Sequence, residues 1–201
     1  MIIKQIVSLA IFILCFHSAK EIIAQEKGDV KKADISTNTK HTLGEVFGGG
    51  KIFWLDETGQ HGLIAAVTDQ SAKGIVWNPG KGIVTSANAD APYSGLTNSE
   101  KIVKIQGANG QYAARLCLDY STTDKNIVYN DWYLPSKYEL NLLYRQKTVV
   151  GGFNLTSGIY WSSTESIAEP DSSAWEQEFK YGTQYEDGKD LTDQVRCIRK
   201  F

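Results

Sequence analysis

The sequence predicts an α+β domain in which short twisted antiparallel sheets carry two to three flanking helices. Three observations support this. Short runs of β-branched and aromatic residues recur between Gly-, Asp- and Pro-bearing turns, as at residues 51–55, 61–67 and 159–164. Twice a hydroxyl residue is followed three positions on by a glutamate, just ahead of apolar residues at helical spacing. A 42% hydrophobic content over 201 residues is enough for one real core.

The N-terminus reads as a targeting segment. Lys4 precedes an apolar run over residues 6–16, too short to span a bilayer comfortably and of the length of a signal-peptide core. Ile22-Ile23-Ala24 offers a cleavage site before Gln25, so residues 1–24 are expected to be a signal peptide; an uncleaved anchor is the alternative. Bulky Leu14 suits lipoprotein processing at Cys15 poorly, and Cys15 reads as an apolar member of the run. Residues 25–42 are polar and charged and form a disordered tether. The domain is expected to occupy residues 43–201, exported and without a transmembrane segment once mature.

Within it, residues 51–55 and 61–67 form a β-hairpin around the turn Asp56-Glu57-Thr58-Gly59-Gln60. Residues 74–78 make another short strand, and residues 86–94 a surface loop. Thr97 with Glu100 predicts a capped helix whose face carries Ile102 and Ile105 and which ends at Gly107. Residues 111–120 predict a second helix with Cys117 on its buried face, and residues 119–130 a polar connection.

Trp132-Tyr133-Leu134 is then a buried extended segment, Pro135 forces a turn, and Ser136 with Glu139 caps a third helix bearing Leu140, Leu143 and Tyr144. Residues 159–164 form a strand and residues 165–173 an acidic loop. Residues 174–179 alternate as a half-buried strand would, and residues 182–193 read as a turn or long hairpin loop. Residues 194–199 close the fold, with Val195 and Cys197 on one face and Arg196 and Ile198 on the other.

Cys117 and Cys197 are the two cysteines of the expected mature chain. An even pair in an exported protein suggests a disulfide; two separate buried thiols are the alternative. The formal net charge of −2, one unit more negative after cleavage, offers no concentrated basic surface for nucleic acid.

Several motifs occur in a familiar order: Asp131-Trp132-Tyr133-Leu134-Pro135-Ser136, Glu139-Leu140, Tyr160-Trp161-Ser162-Ser163-Thr164-Glu165, Ala174-Trp175 and Val195-Arg196-Cys197-Ile198-Arg199. With Gly50-Lys51-Ile52-Phe53-Trp54, Gly59-Gln60-His61-Gly62-Leu63 and Ala113-Ala114-Arg115-Leu116-Cys117, they make residues 43–201 resemble the DUF1566, or Lcl C-terminal domain, family. The chain also looks like the related Fibrobacter succinogenes major paralogous domain. The resemblance implies an exported bacterial domain, C-type-lectin-like in fold and often attached to surface or adhesive proteins. A relative in that family binds sulfated glycosaminoglycans as a trimer through a basic surface. This chain has no collagen-like repeat and a negative charge, so neutral glycans, peptides or a surface protein stay open as partners.

The sharpest local signal is Glu169-Pro170-Asp171, similar to the triplet with which C-type lectins hold calcium and sugar hydroxyls. Glu165, Glu169 and Asp171 are therefore the candidate ligand-binding residues, and with Glu176 they supply several of the six to eight oxygens that calcium takes. A solvated acidic loop is the plain alternative. No other metal and no cofactor is expected. Trp132, Trp161 and Trp175 read as core, His61 as a structural residue beside a turn, and Glu176 with Glu178 as a solvated strand face. No nucleophile motif, phosphate loop or metal-spaced histidine cluster occurs. The expectation is a non-catalytic binding or adhesion module; the alternative is a structural component of the cell envelope with no small ligand.

Overall fold

The computed structural model describes residues 39–201 apart from 72, 81, 108 and 109. The expected signal peptide and nearly all of the expected tether lie outside the described residues. Described residues form a mixed α/β unit of short antiparallel sheets and four helices. One sheet orders β1 (Val46–Phe47), β2 (Gly50–Leu55), β3 (Gly62–Ala65) and β11 (Ile198–Lys200) side by side. A second pairs β4 (Ile75–Val76) with β10 (Thr192–Asp193), and a third is the hairpin of β5 (Thr122–Asp124) and β6 (Ile127–Tyr129). The fourth contains β7 (Ile159–Glu165), β8 (Ser173–Glu178) and β9 (Gln184–Gly188) in that order.

The hairpin of β2 and β3 is the expected one, with a bulge between Ile52 and Trp54. Its turn is fixed by Asp56, whose Oδ1 accepts from the backbone N–H groups of Thr58 and Gly59 at 3.1 and 2.9 Å. Contacts reach upstream of Leu43: the His41 N–H donates to Gly59 O at 2.8 Å, and its ring lies 4.4 Å from Phe47 and 5.1 Å from Phe201.

Two stretches expected to lack strands contain them. The polar connection folds as β5 and β6 through Lys125 and Asn126, both left-handed at φ 48° and 66°, a turn that matches strand twist. The loop expected at residues 182–193 contains β9 and β10, polar strands held by β8 and β4.

The helices are α1 (Ser94–Gln106), α2 (Ala113–Leu118), α3 (Lys137–Arg145) and α4 (Lys147–Val150). Helix α3 begins with the expected reciprocal cap of Ser136 and Glu139. In α1 the expectation fails at the start. The helix begins three residues before Thr97, so Thr97 and Glu100 lie inside it and cap nothing. Its buried face is Gly95, Asn98, Ser99 and Ile102, while Ile105 is exposed. A small, polar face fits here because α1 sits close against the Trp132–Ser136 corner: a Cβ on Gly95 would collide with Leu134 O and Glu139 Oε2.

Glu139 explains that entry. Its Oε2 accepts from the N–H groups of Ser136 and Gly95 at 2.8 and 3.0 Å, and its Oε1 from Tyr93 N–H at 2.8 Å and the Tyr133 hydroxyl at 3.1 Å. One fully buried carboxylate thus serves the N-termini of two helices. Burial pushes its pKa up, and the hydrogen bonds it accepts pull in the opposite direction.

The core has two centres. One gathers Trp77, Trp132, Trp161, Tyr112, Cys117 and Cys197; the other Phe53, Leu63, Tyr133, Leu140, Tyr160 and Phe179. Cys117 and Cys197 form a disulfide that ties α2 to the segment entering β11, both residues fully buried. That segment departs from the expected two-faced strand. Pairing covers only Ile198–Lys200, and Val195, Arg196, Cys197 and Ile198 are all buried. Arg196 is neutralised in place by Asp69 at 2.6 Å and by the carbonyls of Ala66, Gly151 and Gly152, and its guanidinium lies 4.0 Å from the Phe153 ring.

Candidate functional site

The acidic loop expected to bind a ligand leaves β7 at Glu165. That residue is buried, 1% exposed. Its Oε1 accepts from Thr85 N–H at 2.8 Å, the Thr85 hydroxyl at 2.9 Å and Lys189 Nζ at 2.7 Å, and its Oε2 from Ser86 N–H at 2.7 Å. Lys189 Nζ also donates to Ile83 O at 3.0 Å and Pro170 O at 2.6 Å, which uses all three ammonium protons. The ammonium lies 4.6 Å from the Trp77 ring centroid. Burial lowers the Lys189 pKa, and the Glu165 carboxylate beside it opposes that.

Above this pair the loop is tied to itself. Ser166 Oγ accepts from Glu169 N–H at 2.9 Å, and the Ser173 hydroxyl donates to Glu169 Oε2 at 3.0 Å. Lys189 N–H donates to Ser172 O at 2.8 Å, fixing the loop against the turn that enters β10. Between them is a cleft of about 310 Å³ lined by Gly80, Gly82, Asp171, Ser172, Lys189 and Asp190. Of the three candidate carboxylates, then, Asp171 lines the cleft, Glu165 is buried in an ion pair, and Glu169 holds its own loop. Glu176 is 2% exposed rather than on a solvated face, because Asp193 of β10 comes against it. Among the described residues, no group of three or more His, Cys, Asp or Glu side chains is placed to hold a metal ion, so the calcium set named from the sequence has no cage.

The aromatic residues divide. Trp132 and Trp161 are buried as expected, and Trp77 joins them; their indole N–H groups donate to Tyr129 O, Ile75 O and Ser162 O at 3.0, 2.9 and 2.8 Å. Trp175 departs from the core reading: it is half-buried, with Lys137 Nζ 3.5 Å from its ring centroid. His61 is exposed, and its carbonyl accepts from Asp56 N–H at 2.9 Å within the hairpin turn.

Sequence reasoning missed Lys189, Asp190, Ser172 and the two glycines. A signal existed for Lys189, the lone cation in the acidic stretch 182–193. In chemical terms the cleft offers two acceptor carboxylates, a hydroxyl and backbone made accessible by glycine, over an ammonium already saturated by the protein. Among the described residues, such a lining suits a ligand rich in hydrogen-bond donors.

A family model described as the Lcl C-terminal domain matches residues 65–199, a span that holds the cleft and both bridged cysteines. No curated protein matches the chain.

Proposed function

Because the chain belongs to the Lcl C-terminal domain family, we propose that it is an exported, non-catalytic binding module on a C-type-lectin-like scaffold, whose cleft takes a neutral, hydroxyl-rich ligand such as a surface glycan. The observation that supports this reading best is the lining of the cleft. Asp171 and Asp190 supply acceptors for hydroxyl donors, and Lys189, the one cation among the described lining residues, is committed to Glu165, Ile83 and Pro170. Among the described residues, a sulfated or phosphorylated ligand would meet two carboxylates without a free counter-charge. The same saturation supports a non-catalytic reading, since Glu165 and Lys189 hold each other and the loop. Export is supported by the buried disulfide, a bond that persists in oxidising compartments.

The competing reading is a structural component of the cell envelope without a small ligand, supported by the internal commitment of the same two residues. A glycan array followed by calorimetry separates them. Saturable binding of a neutral glycan, lost in an Asp171→Ala/Asp190→Ala variant of unchanged melting temperature, supports the binding module. An array silent throughout, with recovery of an envelope partner by cross-linking, supports the structural reading.

A further inference from the structure

Glu176 and Asp193 come together from separate parts of the chain. Glu176 sits mid-way along β8, opposite Trp161 of β7 and Tyr185 of β9. Asp193 ends β10, opposite Ile75 of β4. Trp161 joins these two neighbourhoods: its indole N–H donates to Ile75 O at 2.9 Å, and its backbone N–H donates to Gln194 O at 3.0 Å. The carboxyl groups of Glu176 and Asp193 are thereby brought within hydrogen-bonding reach of each other.

Glu176 Oε2 and Asp193 Oδ2 are both buried, and neither receives a donor from another group. Two ionised carboxylates placed this way would each be an unsatisfied buried acceptor facing a like charge. One proton removes both faults, because the protonated carboxyl donates to the other. A cation is a poorer solution, since no third acidic or histidine ligand is placed to complete a site among the described residues.

We propose that Glu176 and Asp193 share a single proton and form a pH-operated clasp between β8 and β10. The other groups acting on the pair come from β9. Asp187 adds negative charge to both carboxyls, while the Tyr185 hydroxyl bonds to Glu176 and opposes part of that effect. Glu178, on β8, reaches the pair through Tyr185. Burial first, and then the neighbouring Asp193, push the Glu176 carboxyl up to about 9; burial likewise raises Asp193. Folded protein therefore holds a proton that a free glutamate, at 4.5, releases. The stabilisation is complete below that value, falls as pH rises, and is gone once the folded pair loses its proton near 9. The turn that carries Lys189 and Asp190 leads into β10, so opening the clasp loosens one wall of the cleft. The clasp itself stands whether or not the cleft takes a ligand.

The test compares wild type with Glu176→Gln, whose amide supplies the donor to Asp193 at every pH, and with Asp193→Asn, which does so from the other side. Melting temperatures are read at intervals from pH 5 to 9.5. The expected result is a gap in favour of either amide variant that widens by at least about 3 °C as pH rises. Parallel melting curves across the range would overturn the clasp. Carbon-13 NMR of carboxyl-labelled wild-type protein gives the direct reading and needs no variant to fold. A Glu176 resonance still that of a protonated acid at neutral pH supports the shared proton, and one titrating in the ordinary carboxylate range refutes it.

Discussion

Glu165 and Lys189 form an ion pair 2.7 Å long, one partner 1% and the other 3% exposed, and between them they fasten three chain segments. The carboxylate holds Thr85 and Ser86, and the ammonium holds Ile83 and Pro170. Cutting out one partner leaves the other charged and unpaired in the interior, which is far costlier than losing the pair. Lys189→Met is expected to lose roughly 3–5 kcal/mol in denaturant unfolding, and Glu165→Leu/Lys189→Met to recover part of that loss.

Glu139→Gln tests the shared cap. Four donors converge on this carboxylate, and an amide presents two N–H groups of its own to some of them. The expected loss is roughly 2–4 kcal/mol, with hydrogen-exchange protection falling in the first turns of both α1 and α3. Loss confined to α3 would mean that the cap serves one helix only.

Arg196→Lys conserves charge and is still expected to be severe. The guanidinium meets Asp69, three carbonyls and the face of Phe153 at once, which a single ammonium on a thinner stem does not reproduce. A destabilisation of roughly 3–5 kcal/mol is expected by thermal or urea unfolding.

The buried disulfide yields a kinetic prediction and a thermodynamic one. Both cysteines are fully buried, so native protein is expected to resist a thiol reductant and to react only as it unfolds. Cys117→Ala/Cys197→Ala is expected to be less stable by roughly 2–5 kcal/mol, given a sequence separation of 80.

Features whose cause is local were legible in the sequence. The Ser136/Glu139 cap, the β2–β3 hairpin with its Asp56 turn, and the burial of Trp132 and Trp161 all follow from neighbours a few residues apart. What escaped has its cause elsewhere in the chain. Helix α1 starts at Ser94 because Glu139 accepts from Tyr93 and Gly95, and no pattern near Thr97 records that. The β5–β6 turn uses Lys125 and Asn126 in left-handed conformations without the glycine that signals such turns.

The alternation along β8 misled for a similar reason. It predicts one wet face, yet Glu176 is buried against Asp193 from a distant strand. The candidate site was legible only in part. Asp171 marks the cleft, but its opposite wall, Gly80 and Gly82, lies some ninety residues earlier in the chain.

Arg196, Cys197 and β11 together bolt down Asp69, α2 and β3, all of which precede them in the chain. These ties join the end of the domain to elements roughly eighty to one hundred and thirty residues earlier. Contacts of such large sequence separation carry a heavy loop-closure cost and are expected to form late in folding.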